Sequence, residues 1–284
     1  MIPENLRRRR EVRSPWERVQ PFIAVLAVVV LLVPPLWIAV VTAGKSQAEA
    51  LTPNLSLPTQ WQLFENFAQV WNDGRIPSAL GGSLLVMVPS VLGVLMLGSV
   101  ASWVLARRSG RLVAILYALA ISGLVLPPAV VTIVMLLRQL GLAGTAWGMI
   151  GVYMGMYMST VIFFTTGFVR TIPHELEEAA RIDGAGPLRV FRSVILPILM
   201  PTLATATILI CLYVWNDVFY ALFVIGGRID TLPLNLFQVA SAGLYLNNWH
   251  LIFSYVVLMS LPLLVVFILA QRKIISGVTS GAVK

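Results

Sequence analysis

Six apolar windows, each about as long as a membrane-crossing helix, constrain this chain more than any other feature. They run roughly Pro21–Ala43, Leu80–Leu105, Leu112–Leu136, Trp147–Phe168, Thr202–Ile225 and Leu251–Ala270. Crossing about 30 Å of hydrocarbon takes about 20 residues of helix but only about 10 of barrel strand. In lipid every backbone N–H and C=O must find a partner within the protein, which leaves helices and closed barrels as the spanning structures. The windows have helical length. Composition agrees, with 58% hydrophobic and 11% charged residues, against roughly 25% charged in soluble domains. The expected fold is therefore an all-α integral membrane protein with six transmembrane helices. The first window exceeds the apolar core of a secretory signal, and no small-x-small cleavage pattern follows it. It reads as a retained span behind a cytoplasmic tail of residues 1–20, with the spans filling 21–271 and a second tail at 272–284.

Charge sets the orientation. The net charge is +8, which in a soluble chain would suggest nucleic acid. Here it divides by side of the membrane, as the excess of Lys and Arg in cytoplasmic loops requires. With the N-terminus inside, the inner segments hold Arg7–Arg10, Arg13, Arg18, Arg107, Arg108, Arg111, Arg170, Arg181, Arg189, Arg192, Arg272, Lys273 and Lys284. The outer loops keep only Lys45, Arg75, Arg138 and Arg228. Both termini are expected in the cytoplasm, with membrane lipid as the surrounding partner and no role for nucleic acid. The Arg7–Arg10 run reads as a topology and lipid-contact signal.

Several chemistries are disfavoured. Cys211 is the one cysteine, so no internal disulfide forms, and its apolar neighbours suit packing. His174 and His250 are far apart, so no metal site is expected. "AGKS" at Ala43–Ser46 ends like a phosphate loop, but the required first glycine is Ala39, and no strand precedes it. No nucleophile–base set, paired intramembrane carboxylates or HExxH stands in a credible place. The chain is read as no enzyme, with no cofactor of its own.

Within and beside the spans, a few features could carry function. Paired prolines in "VPPL" (Val33–Leu36) and "LPPA" (Leu126–Ala129) predict kinks, either beside a pathway or as packing bends. Gly151 and Gly155 form a GxxxG suited to close helix approach. Asp217 is the one acid well inside a window, in "YVWNDVFY". An intramembrane acid marks a functional suspect, and Tyr213, Trp215, Asn216 and Asp217 could bind sugar hydroxyls or stack on a ring. A structural or gating role is the competing reading. Outside, Gly44–Ala79 carries Leu63, Phe64, Phe67, Val70 and Trp71 at helical spacing, as a helix on the membrane surface or a lid on the bundle. Gly226–His250 is the second long outer loop.

The most informative stretch is "EEAARIDGAGPLRVFRSVILP", Glu177–Pro197. Pro173 and Glu175, Glu177 and Glu178 suit a helix start. Ala179 and Ala180 favour helix with little bulk. Asp183-Gly184 ends it, because glycine takes the left-handed C-terminal conformation readily. After Ala185 and Gly186, Pro187 opens a second helix, with Leu188, Phe191 and Ile195 on one face and an end expected at Leu196-Pro197. The result is an elbow of two short helices. It presents an acidic, low-bulk surface able to pair with a partner's arginines.

"EAARIDGAGPLRVFRSVILPILMP" resembles the EAA motif of ABC importer permeases. The match rests on Glu178, Ala179, Ala180, Asp183, Gly184, Ala185, Phe191, Ile195, Leu196, Pro197 and Pro201. "ENFAQVWNDGRIPSAL", "LPPAVVTIVML", "YVWNDVFYAL", "TLPLNLFQ" and the ending "SGVTSGAVK" are similar to the sugar-uptake branch, most of all to its shorter, maltose-type permease. Gly82-Ser83 departs from the Asn-Ser expected there. The resemblance implies one half of a heterodimeric pore that imports a sugar, oligosaccharide or related polyol across the cytoplasmic membrane. Implied partners are a second permease, two ATP-binding subunits holding ATP and Mg, and an extracytoplasmic substrate-binding protein touching Gly44–Ala79 and Gly226–His250. The coupling helices between spans 4 and 5 would seat on the ATPase through Glu177, Glu178, Ala179, Ala180, Asp183, Gly184, Ala185, Gly186, Phe191, Leu196 and Pro197. The competing class is an ion-coupled secondary transporter, which would show more ionisable residues in its spans and broken inverted repeats.

Overall fold

The computed structural model describes residues 15–126, 129–241 and 247–282. The Arg7–Arg10 run, Pro127 and Pro128 of the second proline pair, and Lys284 lie outside them. Among the described residues the structure is helical throughout, without a strand. Five helices are long and apolar enough to cross a membrane. They are α1 (Pro15–Ala43), α4 (Ile76–Arg107), α7 (Ala146–Val169), the run of α9 (Pro187–Val190) into α10 (Leu196–Trp215), and α13 (Trp249–Ala282). Between them lie α2 (Gln47–Ala50), α3 (Leu63–Asp73), α5 (Arg111–Ser122), α6 (Val130–Gln139), α8 (Glu175–Ile182), α11 (Phe219–Val224) and α12 (Leu232–Ser241).

Two expected spans differ from their windows. The third, expected as one helix over Leu112–Leu136, is two short helices, α5 and α6. The break falls at local sequence signals: Gly123 caps α5, and "LPPA" follows with a proline pair that withholds two backbone donors, although the same pair in "VPPL" stays within α1. The fifth begins far earlier than Thr202. The second elbow helix was expected to end at Leu196-Pro197, yet α9 passes through a π turn, Phe191–Ile195, straight into α10. Pro197 has no N–H and its ring crowds the carbonyl one turn back. The wider turn, closed by Leu196 N–H donating to Phe191 O, opens the ladder where a regular helix would clash.

The core forms where α4 meets α7. Val86, Val91, Val94, Met149, Tyr153 and Val161 are buried there, joined by Leu199, Leu203 and Ile210 of α10. Ser102 Oγ donates to Gly98 O at 2.6 Å and pairs with Thr165 Oγ1 across the interface. A second cluster, with Val70, Ile76, Trp215, Leu232 and Tyr255, joins α3, α12 and α13. By contrast, the most apolar window of α1 has no buried residue, which leaves its flanks for lipid or another subunit. Among the described residues Gly151 and Gly155 clasp no helix. A side chain at either would meet open space, and both line an apolar groove of about 390 Å³ with Gly123, Leu126 and Ile133.

The bundle has two distinct ends. One gathers the α4–α5 turn, the close of α7 and the elbow, joined by Arg107 and Glu177. The other gathers residues 43–76, 226–232 and the start of α13. There Asn66 Nδ2 donates to Ala43 O and Lys45 O, both at 2.9 Å, and Ser254 Oγ to Ala43 O at 3.1 Å. Helix α3 is a lid packed on α13, with Asn66 and Val70 turned in. Its expected single apolar face is split, since Phe64 (82% exposed) and Trp71 point away from the bundle.

Candidate functional site: the elbow and the broken helix

The elbow takes its shape from local chemistry. Helix α8 ends in a Schellman motif. The Ala185 N–H donates to Ala180 O at 2.9 Å and the Gly184 N–H to Arg181 O at 3.0 Å. Gly184 sits at φ +81°, a conformation that side chains with a β-carbon resist. Gly186 then precedes Pro187 at the first position of α9.

The elbow is also latched to the bundle, a feature the sequence reading missed. Glu177 was expected on the presented acidic face. It is instead 2% exposed and turned inward against α4. Arg107 Nε donates to its Oε1 at 2.5 Å and Trp103 Nε1 to its Oε2 at 3.1 Å, with Arg181 Nη2 at 3.5 Å. Arg107 Nη2 also donates to Ile172 O at 2.8 Å, and the Trp103 ring lies 5.6 Å from that of Phe191. Buried Phe191 and Ile195 thus anchor the second arm. Trp103 and Arg107 stand four residues apart at the end of an apolar window, so both heads lie on one helix face. That spacing was the available signal, but nothing in it named Glu177 as the partner.

What remains exposed is a mixed surface. Glu178, Ala179, Asp183, Gly184 and Gly186 face outward, with Ala180 and Ala185 partly covered. Beside them Leu176, Ile182 (85%) and Leu188 (78%) expose large apolar side chains. Leu188, expected on one face with Phe191 and Ile195, lines with Phe191, Met96 and Met200 an apolar groove of about 710 Å³ between α4 and α10. Leu196 is half-buried and Pro197 exposed.

The second candidate cluster sits at a break. Asp217 was expected inside a continuous helix, but α10 ends at Trp215 and α11 starts at Phe219. Its carboxylate accepts from the N–H of Tyr220 at 3.2 Å, the N–H of Ala221 at 3.0 Å and Tyr153 Oη at 2.8 Å. Asp217 therefore caps α11 and ties it to α7, with both oxygens engaged inside the chain. Trp215 is buried in the second core cluster and donates to Met259 O at 3.1 Å. Both side chains thus make framework contacts within this chain. Tyr213 and Asn216 are exposed. Tyr213 stacks on Tyr157, centroids 5.8 Å apart and planes 7° apart, and Asn216 Nδ2 donates to Leu212 O at 2.8 Å. The Tyr157–Tyr213 stack, formed between α7 and α10, was also missed.

The Gly82-Ser83 departure has a geometric cause here. A β-carbon at Gly82 would fall 1.9 Å from Asp230 O, and Ser83 Oγ accepts the Leu232 N–H at 2.8 Å, satisfying the start of α12. The 226–232 loop lies directly on α4 at that point.

Residues 95–280 match the family described as "Binding-protein-dependent transport system inner membrane component". The chain belongs to that family. It is a multi-pass inner-membrane component of an ABC transporter. It is 35% identical over 228 residues to the melibiose/raffinose/stachyose import permease MelC of Bacillus subtilis, covering 78% of this chain and 81% of the relative. It is 32% identical over 261 residues to the diacetylchitobiose uptake permease NgcG of Streptomyces coelicolor, covering 89% and 84%. With the multiple sugar-binding transport system permease MsmG of Streptococcus mutans it shares 30% over 260 residues, covering 90% and 93%. A bacterial ABC transporter that imports the acidic polysaccharide alginate has a chain of the same fold, with TM-score 0.76 at 20% identity, covering 91% of this chain and 98% of that one.

Proposed function

We propose that this permease is one half of the membrane pore of an ATP-driven importer of a sugar, oligosaccharide or related polyol, coupled to ATPase subunits through the 175–197 elbow. The observation that carries the reading is the elbow itself. It is held from behind by the Arg107–Glu177–Trp103 cluster and presents Glu178, Ala179, Ile182 and Leu188 outward. A soluble loop has no reason to leave Ile182 and Leu188 uncovered beside small residues, whereas a partner's cleft covers them. A rigid elbow transmits displacement, and a slack one absorbs it.

On this reading the elbow faces the cytoplasm, as do both termini, and α5 with α6 makes the sixth crossing. A second permease packs against this one, and two ATP-binding subunits hold ATP and Mg while this chain binds neither and catalyses nothing. An extracytoplasmic binding protein meets the opposite end, where Trp61, Phe64 and Trp71 are exposed. Sugar relatives on several branches support the cargo class. Tyr213 and Asn216 supply the aromatic face and amide that sugars use. The test is Glu178→Arg: ATPase co-purification with the permease should fall about tenfold. Undiminished co-purification at equal permease level overturns docking at the elbow.

A further inference from the structure

At the elbow end of the bundle, the turn from α4 into α5 and the close of α7 enclose a recess of about 270 Å³. It is lined by Arg108, Ser109, Gly110, Tyr117 and Arg170, together with Leu105 and Val113. Neither Arg108 nor Arg170 has an ion pair among the described residues, although Arg107 next door is fully engaged with Glu177. Arg170 is held over the Tyr117 ring at 5.1 Å, a stack that orients the guanidinium. Arg111 follows Gly110 in sequence and opens α5, which begins with no side-chain cap on its free N–H groups.

We propose that this recess holds the phosphate of an anionic membrane phospholipid, with Arg108 and Arg170 as its recognising groups. Two unpaired guanidinium groups and a hydroxyl suit a phosphodiester, because guanidinium donors match phosphate oxygens in charge and geometry. Position selects a lipid over a soluble anion or a protein acid. Tyr117 lies six residues into α5, about 9 Å along a membrane-flanking helix. Leu105 belongs to the α4 span and lines the recess with Val113 and Ala114, giving it apolar wall where acyl chains begin. Basic pockets at the ends of spanning helices are known to take anionic headgroups in this way. A partner protein would meet the protruding elbow first. The site is separate from that elbow, and the transport reading stands or falls without it.

The test uses the intact complex purified from membranes in detergent. Phosphatidylglycerol is titrated and bound lipid counted by native mass spectrometry, with phosphatidylcholine as the neutral headgroup. The parent should retain at least one phosphatidylglycerol that phosphatidylcholine does not replace. Arg108→Gln with Arg170→Gln should weaken that retention roughly thirtyfold, and the Lys/Lys pair should restore part of it. Inorganic phosphate at equal concentration should not compete. Equal lipid retention by the Gln/Gln variant, or full displacement by inorganic phosphate, overturns the lipid assignment. So does loss of ATPase subunits rather than lipid from that variant, which would make the recess a protein contact. Both arginines are exposed, so the variants should fold, and unchanged thermal unfolding of the complex verifies it.

Discussion

Replacing Glu177 with Ala should release the elbow from α4. The Glu177 side chain is 3% exposed and that of its partner Arg107 10%. Without the carboxylate, the guanidinium keeps the Ile172 carbonyl at 2.8 Å and the His174 ring at 3.3 Å but no counter-charge. Removing one partner of a buried ion pair costs about 3–5 kcal/mol. The surviving hydrogen bond to Ile172 places this pair at the lower end, about 3 kcal/mol. At about 1.4 kcal/mol per factor of ten, the latched population falls relative to the released one by roughly a hundredfold. Hydrogen–deuterium exchange of the 172–186 backbone measures this directly, since protection there follows the opening equilibrium. Exchange should rise about a hundredfold across α8 and stay unchanged in the middle of α7. A paired variant, Glu177→Leu with Arg107→Leu, leaves no uncompensated charge and should recover most of the protection. Exchange within threefold of the parent in Glu177→Ala, or no recovery in the paired variant, would refute the latch.

Two further substitutions probe other joints. Gly184→Val places a β-branched residue at φ +81° while meeting no neighbour within 4 Å. The penalty is therefore backbone strain alone, about 1–2 kcal/mol or more. Uptake into membrane vesicles should be lost at matched protein level, with Gly184→Asn retaining most of it; normal uptake by the valine variant counts against a shape requirement. Hydrogen bonds from the Thr59 hydroxyl and then its N–H hold the Glu49 carboxyl below its ordinary value of 4.5. Its contribution to the 47–59 segment is thus complete above that value and lost as pH falls through the lower folded-state value. Glu49→Gln at neutral pH should expose residues 51–60 to added protease as acid does in the parent, and equal resistance would show the contact to be idle.

Hydropathy made four of the expected spans readable because partition into lipid is a local property of a window. The elbow was readable for a related reason. Its boundaries are written in residues whose backbone preferences act alone, so α8 stops at Gly184 and α9 starts at Pro187 as expected. What escaped was set by distant partners. Glu177 looked like another early-turn acid, yet its environment is built by Trp103 and Arg107, some 70 residues earlier. Asp217 looked like an intramembrane acid open to either ligand contact or a structural role. Only the break between α10 and α11, and Tyr153 from another helix, show that its oxygens are occupied. The split of the third window was partly visible in Pro127-Pro128 but was read as a kink, because a periodic pattern does not say whether freed carbonyls find new partners.

These long-range contacts place α4 in a particular mechanical position. Arg107 at its C-terminal end holds the elbow, while Gly82 and Ser83 near its other end lie against the 226–232 loop and cap α12. From Ser83 to Arg107 is 24 residues, about 36 Å at 1.5 Å per residue, so one helix spans both attachments. Pro89 is the sole proline within α4 beyond its first turn, and Ser90 Oγ donates to Val86 O at 2.7 Å beside it. A helix stiff enough to carry motion between its ends needs that weak point supported. Burial of Val86, Val91 and Val94 in the main core provides the support. On the proposed reading, displacement of the elbow therefore moves α4 as a unit and arrives at the loop above α12. The Arg107 latch and the Gly82 contact then belong to one mechanism rather than two.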